Sequence, residues 1–131
     1  MNAILTHPGL TRLVAKAKDD LGVLAVLLFG SQARGEATPR SDLDVCLVLG
    51  PDPIPQLDAS QKRLDYLAET DLDLAVFQLL PLVIRSRILK EGQILFVRDE
   101  DALYALAAHT AKAFEDFRHI HRQYLDEVSR D

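Results

Sequence analysis

Leu28-Phe29-Gly30-Ser31-Gln32-Ala33-Arg34-Gly35-Glu36-Ala37-Thr38-Pro39-Arg40-Ser41-Asp42-Leu43-Asp44-Val45 joins the end of one apolar run to the head of another. Before it, Val23-Leu24-Ala25-Val26-Leu27-Leu28-Phe29 is apolar at every position, as expected of a central strand covered on both faces. Gly30 ends that run, and a glycine-serine turn can aim backbone N–H groups at phosphate oxygens. Residues 31–36 suit a short helix, and Ala37 to Ser41, with Thr38-Pro39, reads as a loop. Asp42 and Asp44 flank Leu43 at the head of a second apolar strand, Leu43 to Leu49. Alternation puts both carboxylates on one side of that strand, where they could share a divalent cation.

Each half has a plainer reading. Gly30-Ser31 could be only a tight strand-to-helix turn. Asp42 could cap a turn while Asp44 pairs with Arg34 or Arg40. Gly30-x-x-x-x-Gly35 opens like a P-loop, but Glu36 and Ala37 stand where that motif needs Lys and then Ser or Thr. Gln32 also replaces the second glycine of a dinucleotide fingerprint. Two like carboxylates at the mouth of a buried strand resist ionising together, and a cation such as Mg²⁺ relieves that conflict. A third carboxylate would complete a two-metal phosphoryl-transfer centre. Asp71 and Asp73 share a face of a later strand, Leu72 to Phe77. Asp73, set between Leu72 and Leu74, is the preferred candidate because an unpaired charge inside a strand is costly.

Outward from this stretch the chain alternates helix and strand. Leu10, Leu13, Val14, Ala17 and Leu21 recur at helical spacing, with Gly22 at the expected C-terminal cap. Gly50-Pro51-Asp52-Pro53-Ile54-Pro55 stiffly ends the second strand. Leu57, Leu64, Leu67 and Ala68 predict a helix to about Thr70. Pro81 suits a first helical position and Gly92 a helix end, followed by a short strand, Ile94 to Val97. From Asp99 to about Val128 runs one long helix, striped by Leu103, Leu106, Thr110, Ala113, Phe117, Ile120 and Tyr124, with Phe114, His121 and Val128 widening it. The order predicts one α/β (α+β) domain over residues 1–131, a mixed central sheet flanked by helices, with a catalytic core at about 23–97.

The 131 residues suffice for one buried core, and 48% hydrophobic with 27% charged residues describes an ordinary globular chain. A net charge of −5 argues against direct nucleic-acid binding. No apolar run approaches the roughly 18 residues of a membrane span, and Met1 to Pro8 does not read as a signal peptide, so cytoplasmic residence is expected. The single cysteine, Cys46, excludes an internal disulfide and reads as a small buried hydrophobe. His119 and His121 lack the spacing of a one-face helical metal pair, and His7 and His109 have no evident partner.

Gly30-Ser31, ten residues, then Asp42-Leu43-Asp44 resembles the signature of polymerase-β-type nucleotidyltransferases. Gly30-Ser31-Gln32-Ala33-Arg34-Gly35, Ser41-Asp42-Leu43-Asp44-Val45, Asp73 and the Ile88 to Phe96 segment are similar to the minimal nucleotidyltransferases (MNT) in particular. The resemblance implies transfer of a nucleoside monophosphate from ATP, with Asp42, Asp44 and Asp73 catalytic and holding two Mg²⁺ ions. It implies nucleotide binding by Gly30, Ser31, Arg34 and Ser41, although Arg34 could instead brace the carboxylate strand. Larger relatives carry a second domain for the acceptor; 131 residues leave no room for one. The stand-alone MNT proteins that this chain resembles are antitoxins that adenylylate a tyrosine of a HEPN ribonuclease toxin, so such a toxin is the expected partner. The exposed alternatives are a non-catalytic antitoxin acting by complex formation and transfer to a small-molecule hydroxyl such as an aminoglycoside. Phe114, Phe117, His121 and Tyr124 would offer a docking surface on the long helix, unless they pack on the domain's own core. Tyr66, Tyr104 and Tyr124 carry hydroxyls that could accept the group in self-modification.

Overall fold

The apolar runs pair with one another at the centre of the fold. A computed structural model of the chain describes residues 7–30, 44–70 and 72–129. Strands β1 (Val23–Phe29), β2 (Asp44–Leu49), β3 (Asp73–Val76) and β4 (Gln93–Val97) form one sheet in the order β3-β2-β1-β4. β1 is antiparallel to β2 and to β4, whereas β2 and β3 are parallel. The sheet is therefore mixed, and the two fully apolar runs occupy its centre, as their composition requires.

Helices cover both faces. α1 (Pro8–Asp19) and α2 (Gln56–Leu67) pack on one face through Leu10, Leu13, Ala17, Ala59 and Tyr66. They meet Val26, Leu28, Val45, Leu47, Leu74 and Val76 of the strands. α3 (Leu82–Glu91) and α4 (Glu100–Ser129) cover the other, where Ile88 and Leu103 meet Leu27, Cys46, Val48 and Phe77. A register shift between Val23 and Ala25 explains why neighbouring Leu24 and Ala25 face the same layer. Cys46 is fully buried and its thiol is pushed up to about 12 by burial, which leaves it an inert core residue.

Several ends differ from the sequence reading, each for a local reason. α1 stops at Asp19, and Gly22 is not its cap. The Asp20 carboxylate accepts the Gly22 N–H at 3.0 Å, which turns the chain into β1 and leaves Leu21 76% exposed. Pro81 is the N-cap of α3 rather than its first helical residue. Phe77 opens a 3-10 turn, Phe77–Leu79, instead of closing β3. That turn lets the Gln78 amide take a strand's place beside β2: it donates to Leu49 O at 2.7 Å and accepts from Leu49 N at 3.0 Å. Leu57 and Leu64 face solvent on α2, where Ala59 and Tyr66 make the buried contacts.

Polar ties lock α1 to both neighbours. Asp20 accepts from Lys62 at 2.9 Å and from the Tyr66 hydroxyl at 2.9 Å, joining α1 to α2. Burial pushes the Asp20 carboxyl up, but hydrogen bonds from Lys62, Tyr66 and Gly22 outweigh it and hold the group below its ordinary 3.8. Burial and the neighbouring Asp20 carboxylate push the Tyr66 hydroxyl up. Arg98, just after β4, donates to the carbonyls of Ala17, Lys18, Asp20 and Val23 at 2.8–3.1 Å. Its charge sits where the last carbonyls of α1 carry partial negative charge.

The long helix departs furthest from expectation. α4 has 30 residues, about 45 Å at helical rise, against about 23 Å for the longest strand. Leu103 and Thr110 are buried, and Thr110 donates its hydroxyl to Leu106 O at 2.8 Å. Beyond Phe114 every side chain described is exposed, so the second half of the predicted stripe does not pack on this domain's core.

Candidate active site

Three strand ends converge on one edge of the sheet. β1 leaves the sheet at Phe29 where β2 enters it, because the antiparallel register sets Phe29 opposite Asp44. β3 enters at the same level, with Asp73 in register with Asp44 on the parallel neighbour. Adjacent strands lie about 4.8 Å apart, so the two carboxylate-bearing residues are direct neighbours.

Alternation fixes where those side chains point. Val45, Leu47 and Leu49 enter the α1/α2 layer and Cys46 and Val48 the α3/α4 layer, which assigns Asp44 to the α3/α4 side. Leu74 and Val76 likewise enter the α1/α2 layer, so Asp73 shares that side with Asp44. Asp44 is half-buried and Asp73 exposed, with solvent within reach of the pair.

Gly30 is bound to this arrangement by geometry. Its φ is +82°, a left-handed conformation that glycine adopts without cost. A side-chain carbon there would collide with the Asp44 carboxylate. The glycine turn and the second carboxylate of the motif are thus pressed together by the β1–β2 register.

Of the residues that the sequence singled out, Gly30, Asp44 and Asp73 are brought together. Ser31, Arg34, Ser41 and Asp42 lie outside the described residues, as does Asp71. Among the described residues no cluster of three or more histidine, cysteine, aspartate or glutamate side chains forms a metal site. Of the described residues at this strand end, Asp44 and Asp73 offer hard carboxylate oxygens, the donor type that Mg²⁺ prefers. The Asp44–Asp73 register could not be read from sequence, because a parallel pairing between strands so far apart leaves no local signal. His7 was also missed: its Nδ1 accepts the Leu10 N–H at 3.3 Å and caps α1. No helix among the described residues is long and apolar enough to cross a membrane.

Known proteins resemble this chain in sequence and in fold. Residues 12–101 match the family model described as polymerase beta, nucleotidyltransferase. A Methanocaldococcus jannaschii protein named as a protein adenylyltransferase is 38% identical over 74 residues, 56% of this chain. The matched stretch spans 56% of that relative's length. A toxin–antitoxin crystal structure with AMP-PNP aligns with a TM-score of 0.63 at 19% identity, covering 89% of this chain and 96% of that one. The structure of a tri-AMPylated Shewanella oneidensis HEPN toxin in complex with MNT antitoxin aligns at 0.59 and 16% identity, covering 90% and 91%. At these identities the structural matches speak for the fold.

Proposed function

Because the chain belongs to the polymerase beta nucleotidyltransferase family, we propose that it transfers AMP from ATP to a tyrosine hydroxyl of a HEPN-type toxin and so acts as an antitoxin. The observation that carries this reading is the in-register pair Asp44 and Asp73 beside the left-handed Gly30 turn. It supports a centre in which phosphate donors and carboxylates meet at one sheet edge. The relative named as a protein adenylyltransferase and the likeness to toxin–antitoxin structures support the acceptor class.

In this reading Asp42, Asp44 and Asp73 hold two Mg²⁺ ions. Bound magnesium supplies positive charge against the triphosphate and the departing pyrophosphate. Gly30 and Ser31 present backbone and hydroxyl donors to the β- and γ-phosphates, with Arg34 and Ser41 completing the nucleotide contacts. Asp73, at the more open side of the pair, receives the proton of the incoming hydroxyl. The tyrosine oxygen bonds to the α-phosphorus, the bond from that phosphorus to the β-bridging oxygen breaks, and pyrophosphate leaves with the electron pair. The protein's part is orientation and charge placement.

Incubation of the chain and its toxin with ATP labelled at the α- or the γ-phosphorus tests this. Label from the α position alone should enter the toxin, and Asp44→Ala should abolish it. Label entering from the γ position would mean phosphoryl transfer and would contradict the reading.

A further inference from the structure

One charge on the side of α3 that covers the sheet has no anion. Arg85 precedes Ile88 by three residues and Leu89 by four, so it shares the stripe that these two pack into the α3/α4 layer. An apolar side chain is the ordinary choice on such a stripe. Arg85 is half-buried, and its guanidinium carbon stands 5.8 Å from the centre of the fully buried Phe77 ring. Its Nε is shut off from solvent and has no hydrogen-bond partner. Among the described residues no carboxylate pairs with the guanidinium. Arg87, two residues on, shows the usual alternative: it is exposed and meets Glu91 at 3.5 Å. A buried donor of a charged group is costly while unbonded, and a ligand that brings an oxyanion removes the cost.

The place of Arg85 in the fold says where that oxyanion comes from. Leu74 and Val76 enter the α1/α2 layer and Phe77 the α3/α4 layer, so Asp73, Ala75 and Phe77 follow one another on the same side of the chain. β3 is the last strand of the sheet. The exposed Asp73 and the Arg85–Phe77 pair therefore mark two points on one side of an edge strand, about 13 Å apart at β spacing. We infer that Arg85 binds a carboxylate of the acceptor protein, presented along β3 while the acceptor hydroxyl stands at Asp73. This rests on the proposed reading, in which Asp73 meets the incoming hydroxyl. An unmodified protein acceptor supplies carboxylates, and a guanidinium takes one through two parallel N–H donors. Arg85 is then a positioning residue: it touches no reacting atom and sets where the acceptor lies.

Arg85→Met tests this, because methionine keeps apolar reach over Phe77 and removes the charge and the donors. The free variant should melt no lower than the parent, since the unbonded donor leaves with the arginine. In steady-state AMP transfer, KM for the HEPN-type toxin should rise at least about tenfold, with kcat and KM for ATP within about twofold of the parent. Arg85→Lys should recover part of the loss, because it restores the charge without the fork. Calorimetric titration of the toxin into the chain without ATP should show the same weakening, and that arm does not depend on transfer. Arg85→Glu should be rescued by replacing one toxin carboxylate with lysine; no rescue at any acidic position would overturn the assignment. A lower melting temperature with unchanged toxin affinity would make Arg85 a structural residue and overturn the proposal. So would a fall in kcat at unchanged KM. If even the parent transfers no AMP while calorimetry shows the weakening, the proposed activity fails and the acceptor contact stands.

Discussion

The backbone of Gly30 and the carboxylate of Asp44 occupy adjoining space, so close that no side chain fits between them. The contact joins a turn suited to phosphate with a strand end suited to metal, two features separated by 13 residues of sequence. A substitution at Gly30 therefore disturbs both at once. Gly30→Ala meets both the left-handed penalty of about 1–2 kcal/mol and a collision with Asp44. The variant should lose AMP transfer and melt at a lower temperature, as read by thermal denaturation beside the transfer assay. Unchanged transfer by a normally folded Gly30→Ala would show that the close approach has no role.

Asp73→Asn keeps size and hydrogen bonding but removes charge from the exposed member of the pair. Transfer should fall about a hundredfold or more, since each tenfold corresponds to about 1.4 kcal/mol of lost transition-state stabilisation. Thermal stability should hold, because the Asp73 side chain is exposed at the first residue of its strand. Titration with Mg²⁺ by calorimetry would check the metal's part: affinity should drop in the variant.

The Asp20 carboxylate gives the fold an acid limit. Its folded-state pKa lies below the ordinary 3.8, so it contributes stability that is present above that value and lost as pH falls through the folded pKa. Asp20→Asn should therefore melt earlier than the parent at pH 6, and the gap should narrow below pH of about 3.8. Melting curves of both proteins across that range provide the check. A gap that stays constant would remove the assigned role.

Arg98 fastens the end of α1 to β4 through four carbonyls. Arg98→Ala should cost about 2–3 kcal/mol, in the range of charged hydrogen bonds whose acceptors are left unpaired. Arg98→Lys should recover only part of this, because an ammonium lacks the planar fork that reaches several carbonyls at once. Urea unfolding of the three proteins measures it, and equal stability of the Lys variant would contradict the fork argument.

The two central strands were legible because Val23 to Phe29 and Val45 to Leu49 are apolar at every position, which only double burial explains. Gly30 and Asp44 were legible as a pair because their spacing is short and rigidly patterned. Asp73 needed an argument about cost, and its alignment with Asp44 became visible only in the sheet. Gly22 misled because glycine after a helical stripe usually caps it, whereas here the Asp20 carboxylate closes the turn first. Arg98 and Gln78 gave no signal, since their partners are backbone carbonyls and an amide distant in the chain. The stripe on α4 predicted a face but not its neighbour: periodicity is the same whether a helix packs on its own domain or stands clear of it.

Peptide-resolved mass spectrometry of the HEPN-type partner, after incubation with this chain, ATP and Mg²⁺, bears most directly on the proposed activity. Added AMP is expected on a tyrosine hydroxyl, present with the parent chain and absent with Asp44→Ala. An unmodified partner that is nevertheless neutralised, or modification that persists with Asp44→Ala, would contradict it.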